Sequence, residues 1–463
     1  MDPNGRYHAI IPHVAELRVL LFAAEDGWTL PYVDGPNDFW CAAHISREMW
    51  ERLGIETTAR RCMAVSVPPA SPQLAFVYLL ENHSPTWQPP HGAQWIEREA
   101  LDVLPLARPE HRPVLEEWFA WEASDGGPQR APWYRVGWYD RACDWVREQL
   151  TVLGRDPTGV VEQLRSWQRS MVMRVATDGG TVYFKAVPPF FAHELTLARY
   201  LHARYPAHVP RVLAADDRRH WMLLEDVGPL TLADVPDISC YERALRLYAQ
   251  LQIEQVGCVD QLLSLGCPDH RLDVLVSEMD GLLADAEAML PGKPYGLSRA
   301  EVGALHDSAP RLKAMCGELS SFAVPCTLEH GDLWARQISV RDGCPVIMDW
   351  SDATLSHPFF SPGFFTDLDD DIFLTVEEAG RYLAGIPDAR VRLLTAYLEP
   401  WTACEPMERL LVAYNLAQVL AGLHSALLYQ RVILPGLEAK WEMERMVPQH
   451  LRKVLRHLAG LPR

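Results

Sequence analysis

The stretch Leu328–Trp350, LEHGDLWARQISVRDGCPVIMDW, decides how the second half of this chain is interpreted. Asp332 stands in a His-Gly-Asp turn, and Asp349 follows seventeen positions later near the end of the apolar run CPVIMDW. Gln337 follows Asp332 by five positions. Phosphoryl transfer needs a carboxylate aligned with the attacking hydroxyl, and metal ions held by a side-chain amide and by a further Asp. The spacing is therefore typical of a catalytic loop for phosphoryl transfer.

Bulk composition restricts the partners and the compartment. The 463 residues are enough for two or three domains, and 48% hydrophobic with 22% charged residues is ordinary for a globular protein. A formal net charge of −18 argues against a nucleic-acid partner. Ten cysteines without a Cys-x-x-Cys pair indicate a reducing compartment. Without a targeting segment or an apolar run of about 18 residues, we expect a cytoplasmic protein with no membrane partner. The sequence does not indicate the oligomeric state.

The chain separates into three regions by texture. Residues 1–120 mix short apolar runs with one helical pattern, CAAHISREMWERLG. A bridge over residues 121–150 is rich in Trp and Pro, and we expect its aromatic side chains to pack onto a neighbouring domain. Residues 151–463 begin with short strand-like runs and continue with long helical patterns. The order predicts an α+β protein in which a small sheet lobe precedes a larger helical lobe.

Residues upstream of the catalytic stretch follow the order that a kinase lobe needs. Lys185 lies in the strand pattern TVYFKAV, and Glu194 follows nine residues later in the helical pattern FFAHELTLARYL. Such a Lys binds the α- and β-phosphates, and a helix Glu pairs with it. The next strand leads into WMLLEDVGPL, where Glu225 to Val227 would offer backbone groups to adenine. Each residue alone has an ordinary explanation as a surface group, so the prediction depends on their order.

The turn that covers the phosphates should precede Lys185, and SWQRSMVMRV occupies that place. It lacks a Gly-x-Gly pattern, and Ser170 is the candidate for its tip. Near the catalytic loop, His330 is expected to support the backbone. Asp352 lies beside the metal site or caps the next segment, and we favour the cap. The run DLDDD from Asp367 is interpreted as a solvated loop, with an acidic substrate cleft as the alternative.

The pattern HGDLW…Q…DWSDA resembles the catalytic core of aminoglycoside phosphotransferases and their relatives, among them choline, fructosamine and maltose kinases. The resemblance covers about residues 151–440 and implies a two-lobed, protein-kinase-like fold. It implies that γ-phosphate passes from ATP, with Mg²⁺, to a hydroxyl of an aminoglycoside-, sugar- or amino-alcohol-like acceptor. Asp332 would be the catalytic base, and Asp349 would correspond to the first Asp of the DFG motif. The family amide is usually Asn, whereas Gln337 is one methylene longer.

A second resemblance concerns GWTLPYVDGPNDFWCAAHISREMWERLGIET, which is similar to the helix signature of Nudix hydrolases. In those enzymes, glutamates on one helix face bind Mg²⁺ against a diphosphate. The matching positions are Arg47, Glu48, Met49, Glu51, Gly54 and Ile55. Val33, Phe39 and Arg52 stand where the signature has Gly, Glu and Glu. The resemblance covers about residues 14–120 and implies a Nudix-like α/β/α domain within residues 1–120.

The departures from that signature predict that diphosphate hydrolysis has been lost. Arg52 puts a cation where a metal ligand belongs, and Phe39 removes another carboxylate. An ordinary amphipathic helix remains the alternative for this segment. For the whole chain, the alternatives to a kinase are a nucleotide-binding pseudokinase or ligand-binding module, and a Nudix hydrolase with a regulatory kinase-like domain.

Overall fold

A computed structural model describes residues 4–36, 42–66, 74–124, 126–366, 382–383 and 385–460. The chain divides into two compact units, the first formed by Met1–Pro188 with Ala214–Leu224 and the second by Pro189–Leu213 with Glu225–Arg463. The N-terminal region, the bridge and the first strands of the following sheet all belong to the first unit. The predicted domain boundaries at 120 and 150 stay predictions. Phe39 and the DLDDD run lie outside the described residues.

Sixteen strands are found in the described part of the chain. They are β1 (Asn4–Ile10), β2 (Arg18–Ala24), β3 (Gly27–Thr29), β4 (Tyr32–Pro36), β5 (Thr57–Ser66), β6 (Ala75–Asn82), β7 (Ala93–Glu97), β8 (Glu162–Trp167), β9 (Ser170–Thr177), β10 (Gly180–Ala186), β11 (Val212–Asp216), β12 (Trp221–Glu225), β13 (Thr327–Glu329), β14 (Ile338–Arg341), β15 (Cys344–Ile347) and β16 (Thr354–Ser356).

The helices of the same ranges concentrate in the second unit. They are α1 (Ala42–Leu53), α2 (Arg98–Leu101), α3 (His111–Glu122), α4 (Trp138–Val152), α5 (His193–Arg204), α6 (Ile238–Glu254), α7 (Val259–Ser264), α8 (Leu272–Ala284), α9 (Ala286–Met289), α10 (Arg299–Leu319), α11 (Gly363–Thr366), α12 (Ala389–Leu398), α13 (Met407–Leu428), α14 (Leu434–Gly436) and α15 (Met446–Gly460).

The N-terminal region contains two sheets and the helix predicted from its periodicity. The larger sheet has the order β4-β1-β6-β5, with β1 parallel to β6 and antiparallel to β4. The smaller sheet, β3-β2-β7, is antiparallel. Helix α1 buries Ala42, Ile45 and Met49, whose spacing of three and four residues places them on one helix face. The region is thus a mixed α and β structure, and its predicted Nudix-like fold stays a prediction.

A five-stranded sheet follows the bridge in the order β11-β12-β10-β9-β8, with β8, β9 and β10 antiparallel. Along β9, Met171, Met173 and Val175 are buried, whereas Arg174 is exposed. This alternation is the period of a half-buried strand, because successive side chains point to opposite faces. The mainly helical second unit comes later in the chain. The predicted α+β class, with a sheet preceding a helical region, is confirmed.

The bridge aromatics pack against the sheet, as the sequence predicts. Trp138 and Trp145 on α4 lie with their ring centroids 5.4 and 5.7 Å from that of Trp221 on β12. Both also contact Phe184 on β10, at 6.1 and 5.8 Å. Large aromatic rings at these separations bury much apolar area and prefer tilted or edge-to-face arrangements, which is the geometry found. The cluster joins the bridge to the sheet within the first unit.

Side chains of β8 also bind the backbone of β5. The register of β5 against β6 shifts near Arg60, and the register of β8 against β9 shifts just after Gln163. Such irregularities leave backbone groups without ladder partners. The Gln163 amide accepts from the Ala59 N–H and donates to the Ala59 carbonyl, each at 2.7 Å, and the Ser166 hydroxyl donates to the Arg60 carbonyl at 2.6 Å. The N-terminal region and the five-stranded sheet therefore share hydrogen bonds.

One helix in the described part of the chain, Met407–Gly436, is long and apolar enough to cross a membrane by length and composition. Of its most apolar window, 78% is buried inside the protein, as in a core helix. A single helix of this kind is weak evidence for a membrane span. The nine cysteines of the described ranges are free thiols.

The first prediction concerns Gln163, which is 4% exposed. Gln163→Ala leaves the N–H and the carbonyl of Ala59 buried without these partners. Since each unsatisfied buried polar group costs about 1–3 kcal/mol, we expect a loss of about 2–4 kcal/mol in the free energy of unfolding. Denaturant unfolding followed by tryptophan fluorescence measures it. Val160→Ala, at a side chain that is 86% exposed, is the control and should change stability by less than about 0.5 kcal/mol. Equal stability of both variants would contradict the role of Gln163.

Candidate active site

The loop that carries Asp332 leaves β13 through a glycine that no other residue can replace without strain. Gly331 has a φ of 78°, and a Cβ there would lie 2.2 Å from the backbone carbonyl oxygen of Asp352. After the turn, the Trp334 N–H donates to the Asp332 carbonyl at 3.1 Å, and a 3-10 turn over Ala335–Gln337 leads into β14. The Gly in His-Gly-Asp is thus required by a left-handed backbone and a close approach.

Asp349 follows the β14–β15 hairpin and also has a left-handed backbone, with φ 58° and ψ 67°. This conformation costs a non-glycine residue about 1–2 kcal/mol and persists only where neighbouring contacts enforce it. The contacts that hold the side chain include the Ser351 hydroxyl, which donates to Asp349 Oδ1 at 2.8 Å, and the Gln337 amide, which lies 3.4 Å from Oδ2. The strained backbone at a carboxylate is a feature of functional sites.

Gln337 brings the three predicted residues together. Its Nε2 donates to Asp332 Oδ2 at 3.2 Å and reaches Asp349 Oδ2 at 3.4 Å. The Met348 N–H donates to the Gln337 carbonyl at 2.8 Å, which ties the two loops by their backbones as well. All three side chains are half-buried, so each is partly open to solvent. Two carboxylates and one amide therefore converge on one place in the second unit.

His330 supports the backbone of the Asp332 loop through hydrogen bonds of its imidazole, as the sequence predicts. Its Nδ1 accepts from the Asp332 N–H at 3.3 Å, which leaves Nε2 as the donor to the Met348 carbonyl at 2.8 Å. The imidazole is fully buried, and its ring centroid lies 4.7 Å from that of Trp350. His330 thus links the backbone that carries Asp332 to the residue before Asp349, and it takes no place among the reacting groups.

The donor set at this site fits Mg²⁺. Carboxylate and amide oxygens are ligands that this cation prefers, and Asp349 and Gln337 supply both types. The described residues contain no group of three or more His, Cys, Asp or Glu side chains that could hold a metal alone. Mg²⁺ usually keeps several waters and takes further ligands from substrate phosphates, so one carboxylate and one amide suit a phosphate-bound ion better than an all-protein cage.

Lys185 lies in the first unit, and Glu194 lies in the second. Lys185 is paired with Val172 in the β10–β9 ladder and is 8% exposed. Glu194 stands in the first turn of α5 and is 4% exposed. Burial makes an ionised side chain costly unless it has a charged or hydrogen-bonding partner, so both positions are unusual for surface residues. Their predicted roles stay predictions.

Helix α5 packs against the turn that follows Asp349, because His193 approaches the Trp350–Asp352 segment. Burial lowers the pKa of His193 to about 4, although the Asp352 carboxylate opposes the shift. Asp352 lies within the 3-10 turn Trp350–Asp352, 3.2 Å from the Ser351 hydroxyl. Its carboxylate lies beside the Asp349 turn, and its favoured interpretation as a cap for the next segment stays a prediction.

The predicted adenine-binding residues form part of a connected segment of the second unit. The Glu225 carboxylate accepts from the Arg211 N–H at 3.0 Å and from Arg341 Nη1 at 3.2 Å. The Val227 carbonyl accepts from the Ser339 hydroxyl at 2.8 Å. A carbonyl has two lone pairs, so this bond leaves Val227 able to accept once more. These hydrogen bonds thus hold the backbone of residues 225–227, which the sequence predicts to bind the nucleotide.

Ser170 begins β9 immediately after the two-residue turn at 168–169, so it lies beside the tip of the hairpin and not at it. Its hydroxyl accepts from Trp167 Nε1 at 2.9 Å, and the side chain is buried. In this position Ser170 fixes Trp167 across the turn. Its predicted contact with a phosphate stays a prediction.

In helix α1, which carries the segment that resembles the Nudix signature, a basic and an acidic side chain form an ion pair. Arg52 Nη2 lies 2.8 Å from Glu48 Oε2, one helical turn away. The cation at position 52 therefore pairs with one of the two carboxylates that the signature would use for metal, and the predicted loss of hydrolysis stays a prediction.

Three residues of the site could not be identified from the sequence. Tyr248 and Ser361 accept hydrogen bonds from backbone N–H groups of the Asp332 loop, and Glu329 accepts one from the Ser361 hydroxyl. Only Glu329 carries a local signal, since an acidic residue directly before His-Gly-Asp, at the end of an apolar strand, is uncommon in a buried position.

Comparison with known proteins finds similar solved structures. No family model matches the chain, and no curated protein matches it. Among solved structures, it is similar to the GDP and kanamycin complex of APH(2")-IIia, with 15% identity over 70% of this chain and 98% of that chain and a TM-score of 0.45. It is also similar to choline kinase LicA from Streptococcus pneumoniae, with 11% identity over 69% and 100% of the chains and a TM-score of 0.46.

A putative fructosamine-3-kinase from Thermobifida fusca is a third similar structure, with 18% identity over 67% of this chain and 97% of that chain and a TM-score of 0.41. These are the classes of protein that the sequence resembles.

The second prediction concerns His330. His330→Ala removes both imidazole hydrogen bonds and leaves a cavity beside Trp350, so we expect a loss of about 2–4 kcal/mol in the free energy of unfolding. Equilibrium denaturation of the full chain measures it. His306→Ala, at an exposed position on α10, is the matched control and should lie within about 0.5 kcal/mol of the unaltered protein. A loss of similar size in both variants would remove His330 from its supporting role.

Proposed function

We propose that this chain is an ATP-dependent small-molecule kinase that transfers the γ-phosphate to a hydroxyl of an aminoglycoside-, sugar- or amino-alcohol-like acceptor. The observation that carries the proposal is the convergence of Asp332, Gln337 and Asp349, where one amide lies within 3.4 Å of both carboxylates. The sequence predicts these three residues from their spacing, and the fold brings them together from two separate loops.

Asp332 is the residue that we assign to the acceptor. Its carboxylate would accept a hydrogen bond from the acceptor hydroxyl and align that oxygen with the γ-phosphorus. As the new P–O bond forms and the bond to the ADP oxygen breaks, the hydroxyl proton passes to Asp332. In a loose transition state most of the effect comes from alignment, so the rigid support of the loop by His330 matters as much as basicity.

Asp349 and Gln337 are the residues that would hold Mg²⁺. The ion would supply neutralisation of phosphate charge. The protein contributes the strained backbone at Asp349, which aims the carboxylate, and the hydroxyl of Ser351, which fixes one of its oxygens. Since the amide of Gln337 presents Nε2 to both carboxylates, its side chain would have to rotate to offer the amide oxygen as a metal ligand.

The remaining assignments concern the nucleotide. Lys185 and Glu194 would orient the phosphates, Ser170 would contribute at the phosphate-covering turn, and the backbone of Glu225 and Val227 would bind adenine. The burial of Lys185 and Glu194 supports their assignment, because ionisable side chains are seldom buried unless they have a specific role. What supports the last two is the set of side-chain bonds that fixes their segment.

The alternative is a nucleotide-binding pseudokinase or ligand-binding module. It is favoured by the same Gln337 contact, because an amide that donates to both carboxylates satisfies them without a metal. We further propose that the N-terminal region is Nudix-like and inactive as a hydrolase. The pairing of Glu48 with Arg52 supports the loss of hydrolase activity, because it engages a carboxylate that would otherwise bind metal.

The third prediction separates catalysis from binding. Asp332→Asn keeps a carbonyl oxygen for Gln337 but cannot take the hydroxyl proton, so we expect phosphoryl transfer to fall by about 10²–10⁴-fold. The Kd for ATP with Mg²⁺, from calorimetric titration, should stay within about threefold, because the altered group faces the acceptor. Transfer is followed as acceptor-dependent ADP release across a panel of amino alcohols, sugars and aminoglycosides. Loss of nucleotide binding in this variant would contradict the assigned role.

The fourth prediction tests the metal. Asp349→Asn should weaken Mg²⁺-dependent ATP binding by about tenfold or more, because an anionic ligand becomes neutral. Asp342→Asn is a matched control: it is an exposed Asp with a left-handed backbone, φ 52°, in the hairpin just before the site. Binding unchanged in Asp349→Asn would remove this residue from the metal site. Absence of binding in the unaltered protein, with or without Mg²⁺, would make the ligand-binding module the better description.

A further inference from the structure

Glu329 is a buried carboxyl group that the proposed mechanism does not use. It is the last residue of β13, opposite Thr354 on β16, and directly precedes His330. Its side chain is 0% exposed. Within the part of the chain that the structure describes, its Oε2 has no hydrogen-bond partner. A group in this position either destabilises the fold or performs a task that justifies its burial.

The contacts of Glu329 lead to the backbone that carries Asp332. The Ser361 hydroxyl donates to Glu329 Oε1, and the same hydroxyl accepts from the Gly331 N–H at 3.0 Å. The preceding amide, the His330 N–H, donates to the Tyr248 hydroxyl at 2.9 Å. Two consecutive amides of the loop are thus held by side chains that surround one carboxyl group. Without the acceptor at Glu329, the Ser361 hydroxyl loses the group that orients it towards Gly331.

The surroundings favour the neutral form of this carboxyl group. The titratable groups that face it are Tyr248 on α6, Tyr397 on α12, His330 on its own loop and Asp352 in the turn after Asp349. Burial raises the pKa of Glu329 to about 8, and the Asp352 carboxylate adds to the effect, whereas the N–H groups of Gly331, Ser361 and His330 oppose it. No cation is among these groups, and His330 is neutral because its Nδ1 accepts a hydrogen bond.

We propose that Glu329 is a positioning residue that holds the Asp332 loop through Ser361 while its carboxyl group is neutral, and that loss of its proton releases the loop. The proton balance is simple: Glu329–COOH gives one proton to solvent, and the resulting carboxylate is buried with one oxygen unpaired beside Asp352. Water must then reach it, which requires the loop to open. The inference rests on the proposed function, because the loop matters for catalysis only if Asp332 is the catalytic base.

The sign of the pH effect follows from linkage. The pKa of Glu329 is higher in the folded chain than in an unfolded one, so its neutral form favours folding. This contribution is fully present below the ordinary pKa of a glutamic acid and is lost as the pH rises through about 8. The closed loop should therefore lose stability progressively as the pH rises from about 4.5 towards about 8, and the loss should level off above that value.

The experiment is hydrogen–deuterium exchange of the full chain, followed in peptides that cover residues 327–337 and corrected for the intrinsic effect of pH. In the unaltered protein, the opening of the loop should increase roughly tenfold between about pH 7 and about pH 9, as expected for a single proton. Glu329→Gln retains an acceptor for Ser361 and cannot ionise, so its loop should stay protected across this range. Glu408→Gln, at an exposed position on α13, is the matched control and should behave like the unaltered protein.

Two further variants keep the test decisive. Ser361→Ala breaks the connection to Gly331 and should expose the loop at all pH values, including where Glu329 is neutral. Glu329→Ala should do the same if it folds. A pH-dependent opening that persists in Glu329→Gln would overturn the proposal, as would a loop that stays protected in Ser361→Ala.

A second readout separates this inference from the proposed function. Where phosphoryl transfer is measurable, kcat of the unaltered protein should fall with the alkaline opening of the loop, and kcat of Glu329→Gln should not. If exchange behaves as expected while no variant binds ATP, the kinase assignment fails and the positioning role stands. If transfer is observed and its pH profile is the same in Glu329→Gln, the positioning role fails and the kinase assignment stands.

Discussion

The site depends on one constraint: two carboxylates from different loops must stay within reach of a single amide. Gln337 meets it by lying 3.2 Å from Asp332 and 3.4 Å from Asp349. The Asp349 turn could not hold this position by its own backbone preference, because Asp349 has a left-handed conformation, whereas the Asp332 loop depends on Gly331, which adopts such a conformation without strain. The bonds between the loops, from the His330 imidazole to the Met348 carbonyl and from the Met348 N–H to the Gln337 carbonyl, hold the strained Asp349 turn against the Asp332 loop. The carboxylates are thus close because the loops are interlocked.

This interlocking explains how a longer amide can serve where the resembling family has Asn. An amide bonded to two carboxylates neutralises part of their repulsion in a half-buried place, where charge interactions are stronger than in water. A cation would take over that task, and the amide would then present oxygen instead of nitrogen. The extra methylene of Gln337 gives the side chain the freedom to do both, at the cost of more rotamer entropy when it is fixed. In the proposed mechanism the same residue would therefore serve both the metal-free arrangement and a metal-bound one.

The sequence predicted the parts of the site that depend on local spacing, and it missed those that depend on the fold. Asp332, Gln337 and Asp349 are close in the chain, and the turn and hairpin between them have clear local signals. Tyr248 and Ser361 reach the loop from α6 and from the segment before α11, and no motif connects them to it. The α+β order and the packing of the bridge aromatics were also predictable, since both follow from hydrophobic pattern. The hydrogen bonds between β5 and β8 were not, because they arise from strand irregularities that composition does not reveal.

Those bonds change how the N-terminal region is understood. A separate hydrolase domain would need only a linker to the next domain, but here Gln163 and Ser166 complete the hydrogen bonding of β5, and Trp138 and Trp145 cover the sheet that carries Lys185. Buried backbone groups that depend on another segment cannot be separated from it without loss. The N-terminal region is therefore a structural extension of the five-stranded sheet, because the backbone of β5 depends on side chains of β8 for its hydrogen bonds.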